Sequence, residues 1–389
     1  MDGQLTRISA RNFRSLASVD LDLGDLTVLI GPNGSGKTNV LNVLRFLAST
    51  VQFDLAAALE SWRGFDHVQR QVPKTGAVSI TVEGRVTQYA SENAPDRYHM
   101  RLTRRGRSVS RYEEFTFKRR GGRGRRITVN GDLVTITEDD DRISEQRLAT
   151  RQTTGLATLP KLADEEGGLG IRQFTEFLSS IRVLEPNVDQ ARLPARQYGA
   201  PLAEDASNLA DTLGQLRLRD PDSFALLIAE LRRCLPGLEE VQLVPVGGAA
   251  KSVAVQLIER GVVTPIDLAD ASYGTVRTLA LLTALHQPDP PPFVAIEEID
   301  HGLHPYALDV LLDRMRASSG HMQILAATHS PTLVGRMEPH EIVVCDRDPV
   351  TGESIIPAIS SAEIAAAARE SDWNPGELWF AGAIGGIPA

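Results

Sequence analysis

The sequence lacks several features that would place it in a specialised class of protein. No uninterrupted apolar run reaches the roughly 20 residues that a membrane-spanning helix needs, and residues 1–14 lack the apolar centre of a signal peptide. The two cysteines, Cys234 and Cys345, form no CxxC pair and have no histidine cluster nearby, which excludes a disulfide framework and a zinc site. We therefore expect a cytoplasmic protein without membrane contact, in which both cysteines are small buried hydrophobes.

Repeats and long heptad runs are also missing, which excludes solenoids and proteins with long coiled-coil arms. The formal net charge of -9 argues against a protein that coats DNA over its whole surface, but it does not exclude a local basic patch. With 389 residues, 42% of them apolar and 23% charged, the chain is long enough for a substantial core and for two lobes or domains.

A glycine-rich segment at residues 31–38 stands between a strand-like run and a helical pattern. Its letters, GPNGSGKT, fit GxxxxGK[ST], in which backbone N–H groups turn toward phosphates at a helix N-terminus. The apolar spacing over residues 40–47 predicts a helix with one buried face. We expect Lys37 to reach the β and γ phosphates of ATP and Thr38 to bind Mg²⁺. The residues predicted to hold ATP in this segment are Gly31, Asn33, Gly34, Ser35, Gly36, Lys37, Thr38 and Asn39.

Two adjacent carboxylates, Glu297 and Glu298, follow an apolar strand-like run at residues 293–296. Because neighbouring side chains of a strand point to opposite sides, one carboxylate can reach Mg²⁺ while the next faces the attacking water. We assign Glu297 to the metal and Glu298 to the water, as its general base or polariser. His329 follows another apolar run, at the strand end where parallel sheets bind ligands, and is predicted to bond the γ phosphate.

The remaining patterns predict the organisation of the chain. Residues 77–136 alternate like an antiparallel β lobe, whereas residues 275–345 alternate helix and strand like a largely parallel sheet. The acidic run 138–142 and the glycine-rich run 165–170 are interpreted as bracketing a variable insert.

The fold class predicted is α/β, with a mostly parallel core sheet, an antiparallel β lobe and a helical lobe. The predicted domains are the N-terminal part of an ATPase core at 1–70, the β lobe at 71–136, the helical lobe with its insert at 137–260, the C-terminal part of the core at 261–370 and an aromatic tail at 371–389.

A basic stripe occupies residues 97–126, where twelve Arg or Lys residues stand against two acids and Tyr98, Tyr112, Phe115 and Phe117 are interleaved. Such a stripe suits the phosphate backbone of DNA, with an affinity that falls steeply with salt. A solvated, charged hairpin and a surface for an acidic protein partner remain open as alternatives.

The tail places Trp373, Trp379 and Phe380 in a short glycine-rich segment. Aromatic side chains near a terminus tend to dock on a surface. They either cap the core of this chain or form a socket for a partner protein.

Taken together, these motifs resemble the ABC-class ATPases of the RecF, SMC and OLD group, and most of all the short AAA-type members found in bacterial defence and repair systems. The resemblance is carried by Asn12-Phe13-Arg14-Ser15, GPNGSGKTN, Ala271-Ser272-Tyr273-Gly274-Thr275, EEIDHGLHP and ATHSP. It implies an ABC-type P-loop NTPase head that hydrolyses ATP with Mg²⁺. It also implies that Ser272 and Gly274 act on the γ phosphate held by another subunit, so that ATP joins two heads.

Other positions follow from the same resemblance. Arg14 corresponds to an arginine near the phosphates, and Asp300 and His304 fall in the D-loop stretch. The Q-loop glutamine is either Gln69 or Gln173. The chain departs from the family pattern at three places: Glu297 where Asp is usual, Tyr273 where a small residue is usual, and Ile299 in place of Pro.

The function that these features predict is an ATP-gated switch in DNA repair or antiphage defence. It would work as a head dimer or higher oligomer, contact DNA and control a separate effector such as a nuclease, because the sequence leaves no room for a TOPRIM nuclease domain. Two alternatives remain open. One is the ATP-binding subunit of an ABC transporter, and the other is a nucleotide-dependent scaffold that does not hydrolyse ATP.

Overall fold

The computed structural model describes residues 3–72, 76–106, 108–118, 124–138, 141–148, 153–196, 199–248 and 252–386. The chain divides into two compact units. The first unit comprises Met1–Ile181 and Glu338–Ala389, and the second comprises Arg182–Met337.

Strands and helices alternate along most of the chain. The strands are β1 Gln4–Phe13, β2 Leu16–Asp22, β3 Leu26–Ile30, β4 Val78–Arg85, β5 Asp96–Arg105, β6 Ser108–Phe117, β7 Arg125–Asn130, β8 Leu133–Glu138, β9 Asp141–Arg147, β10 Arg182–Leu184, β11 Ala195–Arg196, β12 Leu238–Val246, β13 Ser252–Glu259, β14 Ile266–Asp267, β15 Phe293–Ile296, β16 Gln323–Thr328, β17 Ile342–Val344, β18 Asp346–Arg347 and β19 Ser354–Ile355. The helices are α1 Lys37–Gln52, α2 Leu55–Ser61, α3 Phe65–Val68, α4 Gly155–Thr158, α5 Gly168–Ser180, α6 Val188–Ala191, α7 Leu209–Arg219, α8 Pro221–Cys234, α9 Tyr273–His286, α10 Pro305–Ser318, α11 Pro331–Val334, α12 Ser361–Ser371 and α13 Pro375–Phe380.

The first unit contains an antiparallel sheet with the strand order β2-β1-β4-β5-β6-β7-β8-β9. The antiparallel pairing predicted for residues 77–136 is confirmed, and the sheet also includes β1 and β2 at one side and β9 at the other. These outer strands extend the ladder because their backbones pair in register over several residues, as Arg7 does with Asp22.

The runs at both ends of the predicted insert take part in regular structure, and the variability of the insert stays a prediction. The acidic run lies where β8 and β9 pair, with Glu138 opposite Asp141, while residues 139 and 140 fall outside the described part of the chain. The glycine-rich run contains a 3-10 turn at Asp164–Glu166 and the first turn of α5. Backbone hydrogen bonding in a ladder and in helical turns therefore orders segments whose composition is typical of loops.

One face of the large sheet forms an aromatic core with α5. The rings of Tyr98 and Phe117 each lie 6.2 Å from the ring of Phe174, and all three side chains are buried. Aromatic pairs at this spacing add attraction to the burial of their area. The β lobe is therefore built on a packed face that is largely aromatic and apolar.

The first unit also holds the parallel pair of β3 and β17, in which Val28 lies opposite Ile342. Helix α1 follows β3, and its predicted buried face is confirmed because Val40, Leu41, Val43, Leu44 and Leu47 are all buried. This arrangement places the glycine-rich segment between a fully buried strand and an anchored helix.

The second unit holds three parallel strands in the order β10-β15-β16. Together with β3 and β17, they confirm that strands in the helix-and-strand alternation pair in parallel. The second unit also contains an antiparallel sheet of β11, β12, β13 and β14. The acidic pair follows directly from β15, so its backbone position is fixed by a buried strand.

Helices α7 and α8 follow each other with a single residue between them. The break falls at Asp220, whose carboxylate accepts a hydrogen bond from the Ser223 amide, with Pro221 at the first position of α8. A residue before proline avoids the helical region, and Asp is a preferred N-cap, so the local sequence explains the break. Among the described helices, none is long and apolar enough to cross a membrane.

Candidate functional site

The glycine-rich segment adopts a conformation that only glycine tolerates easily. Gly31, Gly34 and Gly36 have φ angles of 144°, 79° and 110°. A Cβ atom on Gly31 would overlap the carbonyl oxygen of Cys345, and a Cβ atom on Gly36 would overlap the side chain of Ser354. The loop is thus packed closely against its surroundings at Gly31 and Gly36, where a side chain would not fit.

Lys37 folds back over this loop from the first position of α1. Its Nζ atom donates to the carbonyl oxygens of Gly31 at 2.7 Å and Pro32 at 3.0 Å, and the residue is buried. The first turn of α1 carries no acidic residue, so no carboxylate there offsets the positive end of the helix dipole. The hydroxyl of Ser35 is buried with no partner among the described residues. The loop therefore offers a positive charge and hydrogen-bond donors and contains no carboxylate, which suits the binding of a phosphate group.

The residues that would bind the metal differ in exposure. Thr38 is exposed, whereas Glu297 is buried. Among the described residues, no cluster of three His, Cys, Asp or Glu side chains suits a metal ion.

The structure brings Arg14 to the start of α1. Its Nη1 atom lies 3.4 Å from Oδ1 of Asn39, and its guanidinium lies 4.9 Å from the centre of the Trp62 ring. Asn39 in turn donates to the hydroxyl of Ser15 at 2.8 Å. Burial, and then the charge of Arg45, lower the pKa of Arg14 below its ordinary value. Arg14 therefore lies in the same unit as the loop and contacts the residue after Thr38.

The two glutamines considered for the Q-loop lie in different surroundings. Gln69 forms an isolated β-bridge with Phe13 and donates to the Gly76 carbonyl oxygen at 2.8 Å. Gln173 lies on α5 and lines a cavity of about 480 Å³ with Arg85. Gln69 is thus next to the Arg14 segment.

The two acids after β15 differ in their surroundings and their backbones. Glu297 is 8% exposed and its amide donates to the Leu184 carbonyl oxygen at 2.9 Å. The Glu298 side chain is 54% exposed and lies 3.5 Å from Nδ1 of His301. Glu298 has a φ of 47°, in the left-handed region, which costs a non-glycine residue roughly 1–3 kcal/mol. The amide of the next residue, Ile299, donates to the Ala327 carbonyl oxygen at 3.0 Å. Hydrogen bonds on both sides therefore hold this strained residue.

Arg277 on α9 is a residue of this site that the sequence did not reveal. Its Nη2 atom donates to the carbonyl oxygens of Glu297 at 3.1 Å and Glu298 at 2.6 Å, and its Nη1 atom donates to that of Pro186 at 3.1 Å. Helix α9 is buried from Thr275 to its end. A lone arginine in an otherwise apolar or uncharged helix is the signal that would have pointed to it.

Ser272 and Gly274 lie at the start of α9. Ser272 is exposed and caps the helix, with its hydroxyl accepting from the Thr275 amide at 3.2 Å. Between them, the ring of Tyr273 lies 5.4 Å from the ring of His301, and a Cβ atom on Gly302 would overlap it. The unusual Tyr273 thus packs on the segment that follows the acidic pair.

Asp300 connects that segment to the strand end at His329. Its Oδ1 atom accepts from the hydroxyl of Thr328 at 2.7 Å and from the backbone amide of His329 at 3.0 Å. The second D-loop residue, His304, has a local role because it caps α10 by accepting from the Tyr306 amide at 3.2 Å. The structure therefore brings Glu298, Asp300 and His329 onto linked segments of the second unit.

The basic stripe is less open than its sequence suggests. Arg111 and Arg125 are buried, and Arg111 pairs with Glu113 at 2.7 Å. Tyr98, Phe115 and Phe117 belong to the aromatic core, so they are not available for stacking on bases. Arg101 and Arg105 are exposed, and both lie on β5. Residues 107, 119, 120 and 123 of the stripe fall outside the described part of the chain.

The aromatic tail divides into buried and exposed residues. Trp379 is buried and donates from Nε1 to the Gly386 carbonyl oxygen at 2.8 Å. Phe380 and Trp373 are 80% and 47% exposed. Trp379 therefore caps the first unit, while the other two rings face solvent; residues 387–389 lie outside the described part of the chain.

The cysteines also differ from each other. Both thiols are free. Cys345 is buried, as expected, and burial raises the pKa of its thiol to about 12. Cys234 is half-buried, and burial raises the pKa of its thiol to about 11. Both thiols therefore stay protonated at neutral pH.

Comparison with known proteins identifies the family. The profile of a family described as "AAA domain, putative AbiEii toxin, Type IV TA system" matches residues 26–335, which include the loop, the acidic pair and His329. An OLD nuclease from Thermus scotoductus is 34% identical over 91 residues, and a DNA replication and repair protein RecF from Paenarthrobacter aurescens is 50% identical over 46 residues. The chain spans only 16% and 12% of the lengths of these relatives, and the matches cover 20% and 12% of the chain.

Solved structures show the same fold at low sequence identity. An Smc head bound to the C-winged helix domain of ScpA has a TM-score of 0.56 at 14% identity, over 92% of this chain and 99% of that one. An Smc head domain with an extended coiled coil from Pyrococcus furiosus, bound to the C-terminal domain of ScpA, has a TM-score of 0.51 at 13% identity, over 95% and 99%. The fold is that of an ABC-type P-loop NTPase head. The chain thus belongs to this AAA-domain family, among the ABC-class ATPases of the RecF, SMC and OLD group.

Proposed function

We propose that this protein binds ATP with Mg²⁺, hydrolyses it, and uses the cycle to control a separate effector that acts on DNA. The observation that carries the proposal is the loop of Gly31, Gly34 and Gly36, with the Lys37 ammonium folded over it and no carboxylate at the start of α1. Such a loop provides the charge and the backbone donors that a triphosphate requires.

Each site residue has a role in this proposal. Lys37 binds the β and γ phosphates, while Thr38 and Glu297 hold Mg²⁺, which when bound neutralises charge on the phosphates. Glu298 orients the attacking water and accepts its proton as the oxygen bonds to the γ phosphorus and the bond to ADP breaks. His329 bonds the γ phosphate. The exposed carboxylate of Glu298, held at a strand end, suits the role of a group that meets water.

We further propose that Ser272 and Gly274 bind the γ phosphate held by a second copy of the chain, so that ATP forms a head dimer. The exposure of Ser272 at the N-terminus of α9 supports this role, because a helix N-terminus attracts an anion. The effector, such as a nuclease, belongs to DNA repair or antiphage defence, by analogy with the OLD nuclease and RecF relatives.

ATP turnover and dimerisation test the proposal together. Glu298→Gln is expected to lower kcat by about 10²–10⁴-fold while ATP still binds, and to accumulate an ATP-dependent dimer in light scattering. Lys37→Ala is expected to lose ATP binding. Glu240→Gln, an exposed carboxylate on β12, serves as the control with wild-type turnover. Wild-type protein that binds ATP but never releases phosphate would instead identify a nucleotide-dependent scaffold.

A further inference from the structure

The guanidinium of Arg277 is buried and binds only carbonyl oxygens. The residue is 3% exposed, and none of the ion pairs among the described residues involves it. Its Nε atom is also buried without a partner. A buried cation without a carboxylate partner destabilises a fold relative to an apolar side chain of similar size. Stability therefore does not explain the presence of arginine at this position.

What Arg277 does bind is the backbone of the acidic pair. One nitrogen, Nη2, donates to the carbonyl oxygens of both Glu297 and Glu298, at 3.1 and 2.6 Å. The Glu298 oxygen also accepts from the His301 amide at 3.0 Å. Because Glu298 is left-handed at φ 47°, these bonds fix a peptide orientation that its side chain disfavours. The orientation of this peptide sets the direction in which the Glu298 carboxylate leaves the backbone.

Helix α9 also begins within the segment of residues 271–274, which we call the Ser272 loop. Ser272 caps α9, Tyr273 packs on His301 and Gly302, and Arg277 follows within the first two turns. The Ala271 carbonyl oxygen at the other side of this loop accepts from Arg192 at 2.8 Å. The start of α9 is thus tied to the segment after β15 by an aromatic contact and by Arg277. A shift of the Ser272 loop would move Arg277 and the carbonyl oxygens that it binds.

We propose that Arg277 is a positioning residue that holds Glu298 in its productive conformation and couples that conformation to the Ser272 loop. Its effect on turnover rests on the proposed function, whereas its effect on the backbone of Glu298 does not. Arg277 touches neither the water nor the phosphates. It acts by fixing the direction of the Glu298 side chain. When the Ser272 loop binds its ligand, the movement would reach Glu298 through Arg277 and orient the carboxylate toward the attacking water.

Kinetics provide the first test, with Arg277→Met as the variant and Arg314→Met as the matched control. Arg314 is a partly buried arginine of the same unit, but it binds Glu230 at 2.9 Å instead of the acidic pair. Arg277→Met is expected to lower kcat about 30-fold or more while the ATP dissociation constant changes less than about twofold. The control keeps the kcat of its folded fraction. In a Glu298→Gln background, Arg277→Met causes no further loss, because both changes remove the same step.

Hydrogen exchange provides a second test that does not need turnover. Arg277→Met is expected to speed amide exchange about tenfold in the segment 297–303, with no such change in Arg314→Met. Should the wild type fail to hydrolyse ATP, the proposed function is lost but this measurement still decides the positioning role. Equal exchange in the two variants, or equal kcat losses, would overturn the inference. If Arg277→Met does not fold, Arg277→Lys replaces it: a single ammonium cannot span three carbonyl oxygens, so intermediate kcat and exchange are expected.

Discussion

The carboxylate of Asp300 accepts a hydrogen bond from the backbone amide of His329, at 3.0 Å. The same oxygen accepts from the hydroxyl of Thr328. The segment after the acidic pair is thereby bonded to the strand end that carries the proposed γ-phosphate sensor. Asp300 belongs to the D-loop stretch by resemblance, and its contacts within the chain give it a local role as well.

Asp300→Ala is expected to lower kcat about tenfold and to leave ATP affinity nearly unchanged. The reason is that the His329 amide loses a charged acceptor, worth roughly 1.5–3 kcal/mol, and the strand end becomes mobile. Steady-state turnover and equilibrium ATP binding measure the two effects. Asp289→Ala removes an exposed ion pair with Arg219 and serves as the control. A kcat as high as that of the control would show that Asp300 does not act through His329.

Gly31→Ala is expected to abolish ATP binding and to destabilise the fold by about 1–3 kcal/mol. The added methyl group meets the Cys345 carbonyl oxygen, and φ at this position is 144°. Equilibrium ATP binding and urea unfolding give the two quantities. Gly320→Ala is the matched control because a Cβ atom there meets open space. Normal ATP affinity in Gly31→Ala would contradict the loop as the binding element.

Exposed arginines of the basic stripe test for DNA. The double variant Arg101→Gln/Arg105→Gln is expected to weaken duplex binding and to lower the salt slope of log K by about 2, because two phosphate contacts are lost. Fluorescence anisotropy over a salt series measures it. The control double variant Arg232→Gln/Arg260→Gln removes two exposed arginines of the second unit. No salt-sensitive binding by the wild type would remove DNA from the proposal and favour a solvated surface or an acidic partner.

Acid is expected to destabilise the protein through Glu230. Burial acts to raise the pKa of this carboxyl, but bonds and charges from His286 and Arg314 outweigh burial and leave the pKa below its ordinary value. The resulting stability is complete above the unfolded pKa and is lost as pH falls through the lower, folded pKa. Urea unfolding from about pH 7 to about pH 3 should show this loss.

Glu230→Gln is the variant that isolates this contribution. It is expected to cost about 3 kcal/mol near pH 7, where it leaves Arg314 without its carboxylate, and to flatten the acid limb of the stability curve. Glu240→Gln, at an exposed position, keeps the wild-type curve. If Glu230→Gln loses stability at low pH as the wild type does, that loss comes from other carboxylates.

Local patterns in the sequence predicted the segments that surround the site. The run at Phe293–Ile296 is a strand with the bounds predicted, and the apolar spacing after Thr38 marks the buried face of α1. These predictions succeed because the length of a strand and the period of a helix are both determined by the pattern of apolar residues that are close in sequence. The break between α7 and α8 at Asp220-Pro221 also carries a local signal in both residues.

What the sequence did not predict depends on residues distant in the chain. The pairing of β1 with β4 joins Arg11 to Ser79, and no local pattern specifies which strand takes that edge. Arg277 was missed because an arginine on a helix normally faces water, and only the burial of α9 on all sides places its guanidinium on the Glu298 carbonyl oxygen. The buried arginines of the stripe were taken as surface charge for the same reason.

The stacking of Arg14 over Trp62 gives the protein an optical reporter of its own. An indole responds in emission wavelength and intensity to a nearby cation, and this cation also contacts Asn39 at the start of α1. The other two tryptophans of the chain are Trp373 and Trp379. A variant with both replaced by Phe keeps Trp62 as its one tryptophan. Ligand entry that draws the guanidinium off the ring can then be followed in real time, without any attached dye.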